Sequence, residues 1–127
     1  MDMMAHVNNS NHITYFEMAR VNYFNEVIAE TIQWNSQGII LAHMEIDYKQ
    51  PLLLTDEVRV YSRVSKFGNS SFEFQYCISR KDKTGEYLAA TGKSVQVCFD
   101  YTQSKAIAVP QSWKEKVKAF EIIKPDE

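Results

Sequence analysis

Asp2, His6, Asn8 and Asn9 place a carboxylate, an imidazole and two carboxamides immediately ahead of a long aromatic-rich segment. That arrangement suggests a helix whose N-terminus points at a reacting carbonyl. Hydrolysis at such a carbon needs a carboxylate acting as nucleophile or as base for water. It also needs a donor for the developing oxyanion. A helix start supplies one, because its first N–H groups are unpaired and its dipole is positive there. On this reading the backbone N–H near Asn9 is the donor. Asn8 and Asn9 side chains either cap the helix or touch ligand. Glu17, eight residues further on, either positions water or pairs with Arg20.

The elements that must hold these groups follow from periodicity. From about Asn11 to Glu30, Ile13, Phe16, Ala19, Tyr23, Phe24 and Val27 recur at steps of three and four, so one face of a helix is apolar. It needs a sheet to cover it. Asn35-Ser36-Gln37-Gly38 breaks the pattern, and four stretches of period-two alternation follow. Ala42, Met44, Ile46 and Tyr48 share one side of the first. Val58, Val60 and Val64 oppose Arg59, Tyr61 and Arg63 in the second. Phe72, Phe74, Tyr76 and Ile78 line one side of the third, and Val95, Val97 and Phe99 one face of the fourth. Gly68-Asn69 and Lys83-Thr84-Gly85 read as hairpin turns, with a longer turn from Gln50-Pro51 to Thr55. After Pro110, Trp113, Val117 and Phe120 predict a short helix at the sheet edge. The order is one long helix and then an antiparallel meander, an α+β arrangement without repeat or linker.

The opening residues resemble the signature of hotdog-fold thioesterases, D-x-x-x-H-V-N-N followed by a helix of the type Y-x-x-Y/W-F-E-x-A-R. Here the run is Asp2-Met3-Met4-Ala5-His6-Val7-Asn8-Asn9, continuing through Tyr15-Phe16-Glu17-Met18-Ala19-Arg20. Met44 to Leu52, Asp56 to Val60, Phe67 to Phe72, Ala90 to Lys93 and Ala108-Val109-Pro110 resemble later family elements in their order and spacing. The likeness spans about residues 2 to 113. It implies a single hotdog domain over residues 1–127, one long helix wrapped by a curved antiparallel sheet. It also implies hydrolysis of an acyl-CoA without metal or other cofactor, at a site where two copies of the chain meet as a dimer or tetramer.

In relatives similar to 4-hydroxybenzoyl-CoA thioesterase, the aspartate four residues before the histidine position is the catalytic carboxylate; that position is Asp2. His6 then orients the acyl group or its loop, or bonds a backbone carbonyl. Plant acyl-carrier-protein thioesterases resemble the same segment with an asparagine where Met4 stands, so an acyl-carrier substrate is the alternative, as is a silent acyl-CoA-binding domain. Ala5 replaces a common glycine. Members of the fold have an N-terminal strand that delivers the aspartate, and only Met1 precedes Asp2 here; either the chain begins late or that first strand is missing.

CoA phosphates call for an extended cationic rim. Arg63, Lys66 and Lys93 are the candidates, with Arg80 and Lys81 beside them, and Lys66 stands next to the Phe67-Gly68 hairpin. The net charge of −2 over 127 residues, with basic residues interspersed among acids, argues against a nucleic-acid partner. No apolar run reaches the ~18 residues of a membrane span, which places the expected site of action in the cytoplasm. Cys77 and Cys98 fall on neighbouring strands, about eight residues or ~26 Å out of register, so both are expected to be free.

Overall fold

The computed structural model describes residues 9–30, 37–53 and 56–127. The aromatic-rich segment forms α1, Asn9–Tyr23, and runs into one π-helical turn, Phe24–Ile28. The periodicity predicted a single helix from Asn11 to Glu30; the observed α-helix starts two residues earlier and changes its spacing at Phe24. Ala29 ends it in the left-handed region, φ 52°, and donates its N–H to Phe24 O at 2.8 Å. Tyr23 and Ile28 would lie ~140° apart on an ideal α-helix. The wider turn brings Ile28 back to the buried side, and it is fully packed there.

The buried stripe of α1 is His12, Phe16 and Tyr23, flanked by Tyr15 and Ala19. Ile13, expected on this face, lies one position off the stripe and is 39% exposed. Met18 and Val21 are more exposed still, at 63% and 60%. The helix therefore carries apolar residues on two sides, only one of which meets the sheet.

Four long strands follow: β1, Gln37–Tyr48; β2, Glu57–Phe67; β3, Ser71–Asp82; β4, Gly85–Asp100. They pair antiparallel in the order β1-β4-β3-β2, and the short β5, Lys105–Ala106, adds to the end of β4. The β3–β4 hairpin is tight because the Asp82 carboxylate accepts from Thr84 N at 2.7 Å and Thr84 Oγ1 at 2.5 Å, while Gly85 takes φ 146°. Register shifts between Leu41 and His43, Val64 and Lys66, and Ile78 and Ser79 mark irregularities that bend the sheet round the helix. Leu52, in the turn after Pro51, is fully buried.

Phe72, Phe74, Tyr76 and Ile78 all face inward, as the alternation of β3 predicted. In β4 the reverse holds. Ser94, Gln96 and Cys98 are buried against α1, and Val95, Val97 and Phe99 lie on the other face, half-buried. The polar inner face of β4 is tolerable because Tyr76 and Arg20 meet it with hydrogen bonds, described below. Cys77 sits opposite Thr91, and both cysteines are free; burial pushes the Cys98 thiol up to about 11.

The chain closes with α2, Gln111–Phe120, whose Trp113 ring meets Phe24 and Phe72 edge-on. Beyond it, Glu121 turns inward. Its carboxylate accepts from Tyr23 Oη at 2.5 Å and from Val64 N at 3.0 Å, tying α1 to β2. Asp126 then lies parallel to β2, accepting from Phe67 N at 2.7 Å and donating to Ser65 O at 3.0 Å.

Gly92 sets how close α1 can come. A Cβ there would stand 2.6 Å from Phe16 Cε2 and 2.8 Å from Glu45 O. The ring could shift, but the β1 carbonyl is held by its ladder. Gly92→Ala is expected to destabilise the protein by about 1–3 kcal/mol, as overpacking does, seen as a lower urea midpoint at unchanged slope. A wild-type midpoint would mean that the helix seats without this contact.

Candidate functional site

Asp2, His6 and Asn8 lie outside the described residues; what the structure gives of that region is the helix they lead into. α1 opens at Asn9, and its first turn holds no acidic residue of its own. Its positive dipole end is thus not answered by a carboxylate within the turn. Two contacts fix the direction of this end. His12 is buried with its ring edge-on to Tyr48, centroids 5.0 Å apart. Phe16 rests on Gly92 and stacks on Tyr76 at 4.4 Å. The helix start is therefore held above the C-terminal end of β1 and its partner residues on β4.

Deeper along α1 lies a set of polar groups absent from the sequence-based candidates. Arg20 Nη1 donates to Tyr76 Oη at 2.9 Å, Tyr76 Oη and Ser94 Oγ share a hydrogen bond of 2.5 Å, and Gln96 Nε2 donates to Ser94 Oγ at 2.5 Å. Burial pushes the Tyr76 hydroxyl up, against the opposing pull of Arg20 and Ser94, so it stays protonated. Arg20 reaches across to the sheet here instead of along the helix to Glu17. The signal in the sequence was slight: a tyrosine among the phenylalanines of β3, and Ser94 and Gln96 alternating with valines in β4.

Beside this chain a cavity of about 460 Å³ opens between the second half of α1 and strands β1 and β4. Glu17, Arg20, Val21 and Phe24 form the helix wall, and Ile39, Leu41 and Gln96 the sheet wall. Glu17 thus belongs to the cavity and not to the helix start, which is ~12 Å away along the axis.

The expected cationic rim is placed differently from the helix. Glu45, Lys93, Gln75 and Arg63 stand in one transverse row across β1, β4, β3 and β2. Gly92, the neighbour of Lys93, faces Phe16, so this row lies on the side of the sheet away from α1. Lys93 pairs with Glu45 at 3.1 Å, and Arg63 donates to Gln75 Oε1 at 2.7 Å. Arg80 pairs with Asp82 at 2.7 Å and lies over the Tyr87 ring. Lys66 and Lys81 are exposed, Lys66 at the β2 irregularity beside the hairpin. All three rim candidates stand on the meander, Lys66 beside the β2–β3 hairpin and Arg63 and Lys93 in the row across the outer face.

This architecture is the hotdog fold, and the comparisons agree with it. The thioesterase-like superfamily matches residues 1–117, and the chain belongs to that superfamily. It is 30% identical over 122 residues to the uncharacterised protein YsmA of Bacillus subtilis, covering 92% of this chain and 74% of that one. Among solved structures, a thioesterase of Thermus thermophilus complexed with coenzyme A and zinc is 30% identical, with a TM-score of 0.77 over 94% of this chain and 84% of that one. The 1,4-dihydroxy-2-naphthoyl-CoA thioesterase of Synechocystis, 19% identical with a TM-score of 0.79 over 92% and 86% of the two chains, shares the fold. Among the described residues, no helix is long and apolar enough to cross a membrane.

Proposed function

We propose that this protein hydrolyses acyl-CoA thioesters to a free carboxylic acid and CoA. The observation that carries the reading is the start of α1 at Asn9, directly after the Asp2-to-Asn8 motif, in a chain of the thioesterase-like superfamily. In the reaction, the thioester oxygen faces the first N–H groups of α1, which stabilise the negative charge that gathers there. Asp2 either attacks the carbonyl carbon, expelling CoA thiolate to leave an anhydride that water then opens, or removes a proton from the attacking water. His6 orients the acyl group beside it. CoA is favoured over an acyl-carrier protein because Met4 stands at the plant-type asparagine position, and because the related Thermus thermophilus enzyme was solved with coenzyme A. Lys66 is the rim residue best placed for the nucleotide.

The same reading proposes self-association. β1 is an edge strand among the described residues, twelve residues long, with Leu41 45% exposed beside the uncovered Val21 of α1. A long edge with apolar neighbours is a template for a second strand, and a twofold pairing of β1 would close the cavity wall at Leu41.

Three measurements test this. Asp2→Asn keeps the shape and removes the nucleophile or base, so thiol release from an acyl-CoA panel should fall by roughly two or more orders of magnitude while binding holds. Turnover near wild type would move the chemistry elsewhere. Asn9→Ala should stay within about tenfold, a loss of the order of a weakened cap. Asn9→Pro, which lacks the N–H, should lose ~10²–10³ in rate; equal loss in both variants, with fold retained by circular dichroism, would make the carboxamide catalytic instead. Finally, sedimentation should show a dimer or a dimer of dimers, and a fully active monomer at every concentration would sink the shared-site idea.

A further inference from the structure

Arg20 is, among the described residues, the one cation on the wall of the cavity between the second half of α1 and strands β1 and β4. At about 460 Å³ that cavity has the size of a small-ligand site. Val21, Phe24, Ile39 and Leu41 give it apolar walls. The guanidinium is half-buried and held in place, since Nη1 donates to Tyr76 Oη at 2.9 Å and Cζ lies 6.0 Å from the centre of the Tyr76 ring. That bond uses one of its five donors. Among the described residues no carboxylate forms an ion pair with Arg20. None of its nitrogens is both unpaired and closed off from the surface, so the remaining donors can be reached. Glu17 lines the same cavity from an exposed position, where water screens its charge; Arg20 is fixed and partly out of water.

We propose that this cavity receives the distal end of an acyl chain that carries a second carboxylate, and that Arg20 holds that carboxylate. The inference rests on the acyl-CoA thioesterase reading and adds the class of acyl group. A guanidinium has donors only, so its ligand must accept. A hydroxyl offers one acceptor atom. A carboxylate offers two in the geometry of the guanidinium fork, and it brings the opposite charge to a cation that has no partner of that kind. Length follows from the fold. His12 lies on Tyr48 near the start of α1, and the cavity joins Val21 and Phe24 to Leu41 and Ile39, so the helix runs back along β1 from its start to the cavity. α1 rises ~1.5 Å per residue, so Arg20 lies roughly 16 Å beyond Asn9. A saturated chain with C–C bonds of about 1.5 Å advances about 1.3 Å per carbon, so roughly ten to twelve carbons separate the thioester carbon from the distal carboxylate. A four- or five-carbon diacid is too short to reach.

The test compares dodecanoyl-CoA, ω-hydroxydodecanoyl-CoA and dodecanedioyl-CoA by kcat/KM. It also titrates octanoate and 1-octanol calorimetrically, a readout that needs no turnover. The diacid ester should be preferred over the other two by about tenfold or more, equivalent to about 1.4 kcal/mol. Arg20→Gln, which can still donate to Tyr76, should bring that preference to near one, since a site discriminates through the bond it is built to make. Val21→Glu gives a second variant at a position 60% exposed, where a charge is tolerated by the fold. Its carboxylate enters the same cavity and should likewise remove the preference. Equal values for the three esters in the wild type overturn the proposal, as does a preference for the hydroxylated chain. A diacid preference that survives either variant overturns it too. If no ester is hydrolysed, the thioesterase reading fails by itself. The titrations then decide: octanoate bound about tenfold more tightly than octanol, with the difference lost in Arg20→Gln, upholds the assignment to Arg20, and equal or absent binding ends it.

Discussion

Phe16 lies on the backbone of β4 at Gly92, with no side chain between the helix and the sheet, and its ring stacks on that of Tyr76, the residue paired with Gly92 on β3. This contact sets the height and direction of α1. With the helix seated at that point, His12 is carried onto Tyr48 near its start, and Tyr23 onto Phe74 near its end. The direction of the helix start, on which the proposed oxyanion site depends, is thus decided by a contact two turns away. Rigid support of this kind is what a reactive N-terminus requires, since donors must be aimed before charge develops.

The same seating has a cost on the inner face of β4. Close approach of α1 brings Arg20 over Tyr76, and a guanidinium at the edge of a core needs partners. Tyr76, Ser94 and Gln96 supply them in sequence, so a line of hydrogen bonds crosses what would otherwise be a purely apolar layer. The last member, Gln96, is left with one polar atom, Oε1, that accepts no hydrogen bond and is closed off from the surface. In a buried setting an unpaired carboxamide atom is unfavourable by about 1–3 kcal/mol.

The far end of the molecule is held by another carboxylate. Glu121 joins the hydroxyl of Tyr23 to the free N–H of Val64, and the residues after it lie along β2. One edge of the sheet is thereby partly covered by the chain's own C-terminal segment. β1, at the other edge, has no described neighbour beyond it, and the exposed Leu41 and Val21 meet on that side.

Local pattern in the sequence was enough for the order of elements, the two hairpins, the inner face of β3 and the family. Each of these depends on neighbours within a few residues: a turn needs Asp82 and Gly85, and a helix start needs the polar run before Asn9. The run from Asp2 to Asn9 carries the family resemblance for the same reason, and Asp2, His6 and Asn8 lie outside the described residues. Alternation along β4 separated its two faces but could not say which turned inward. Valines on one side pointed to the core, and the structure put Ser94 and Gln96 there, because Arg20 and Tyr76 wait for them. The partners of Lys93 and Arg63, the exposure of Ile13 and the cavity at Gln96 were likewise beyond the sequence. Arg20 and Tyr76 are separated by 56 residues, and Tyr23 and Glu121 by 98. A polar group's role depends on what meets it, and across such distances only the folded chain decides that.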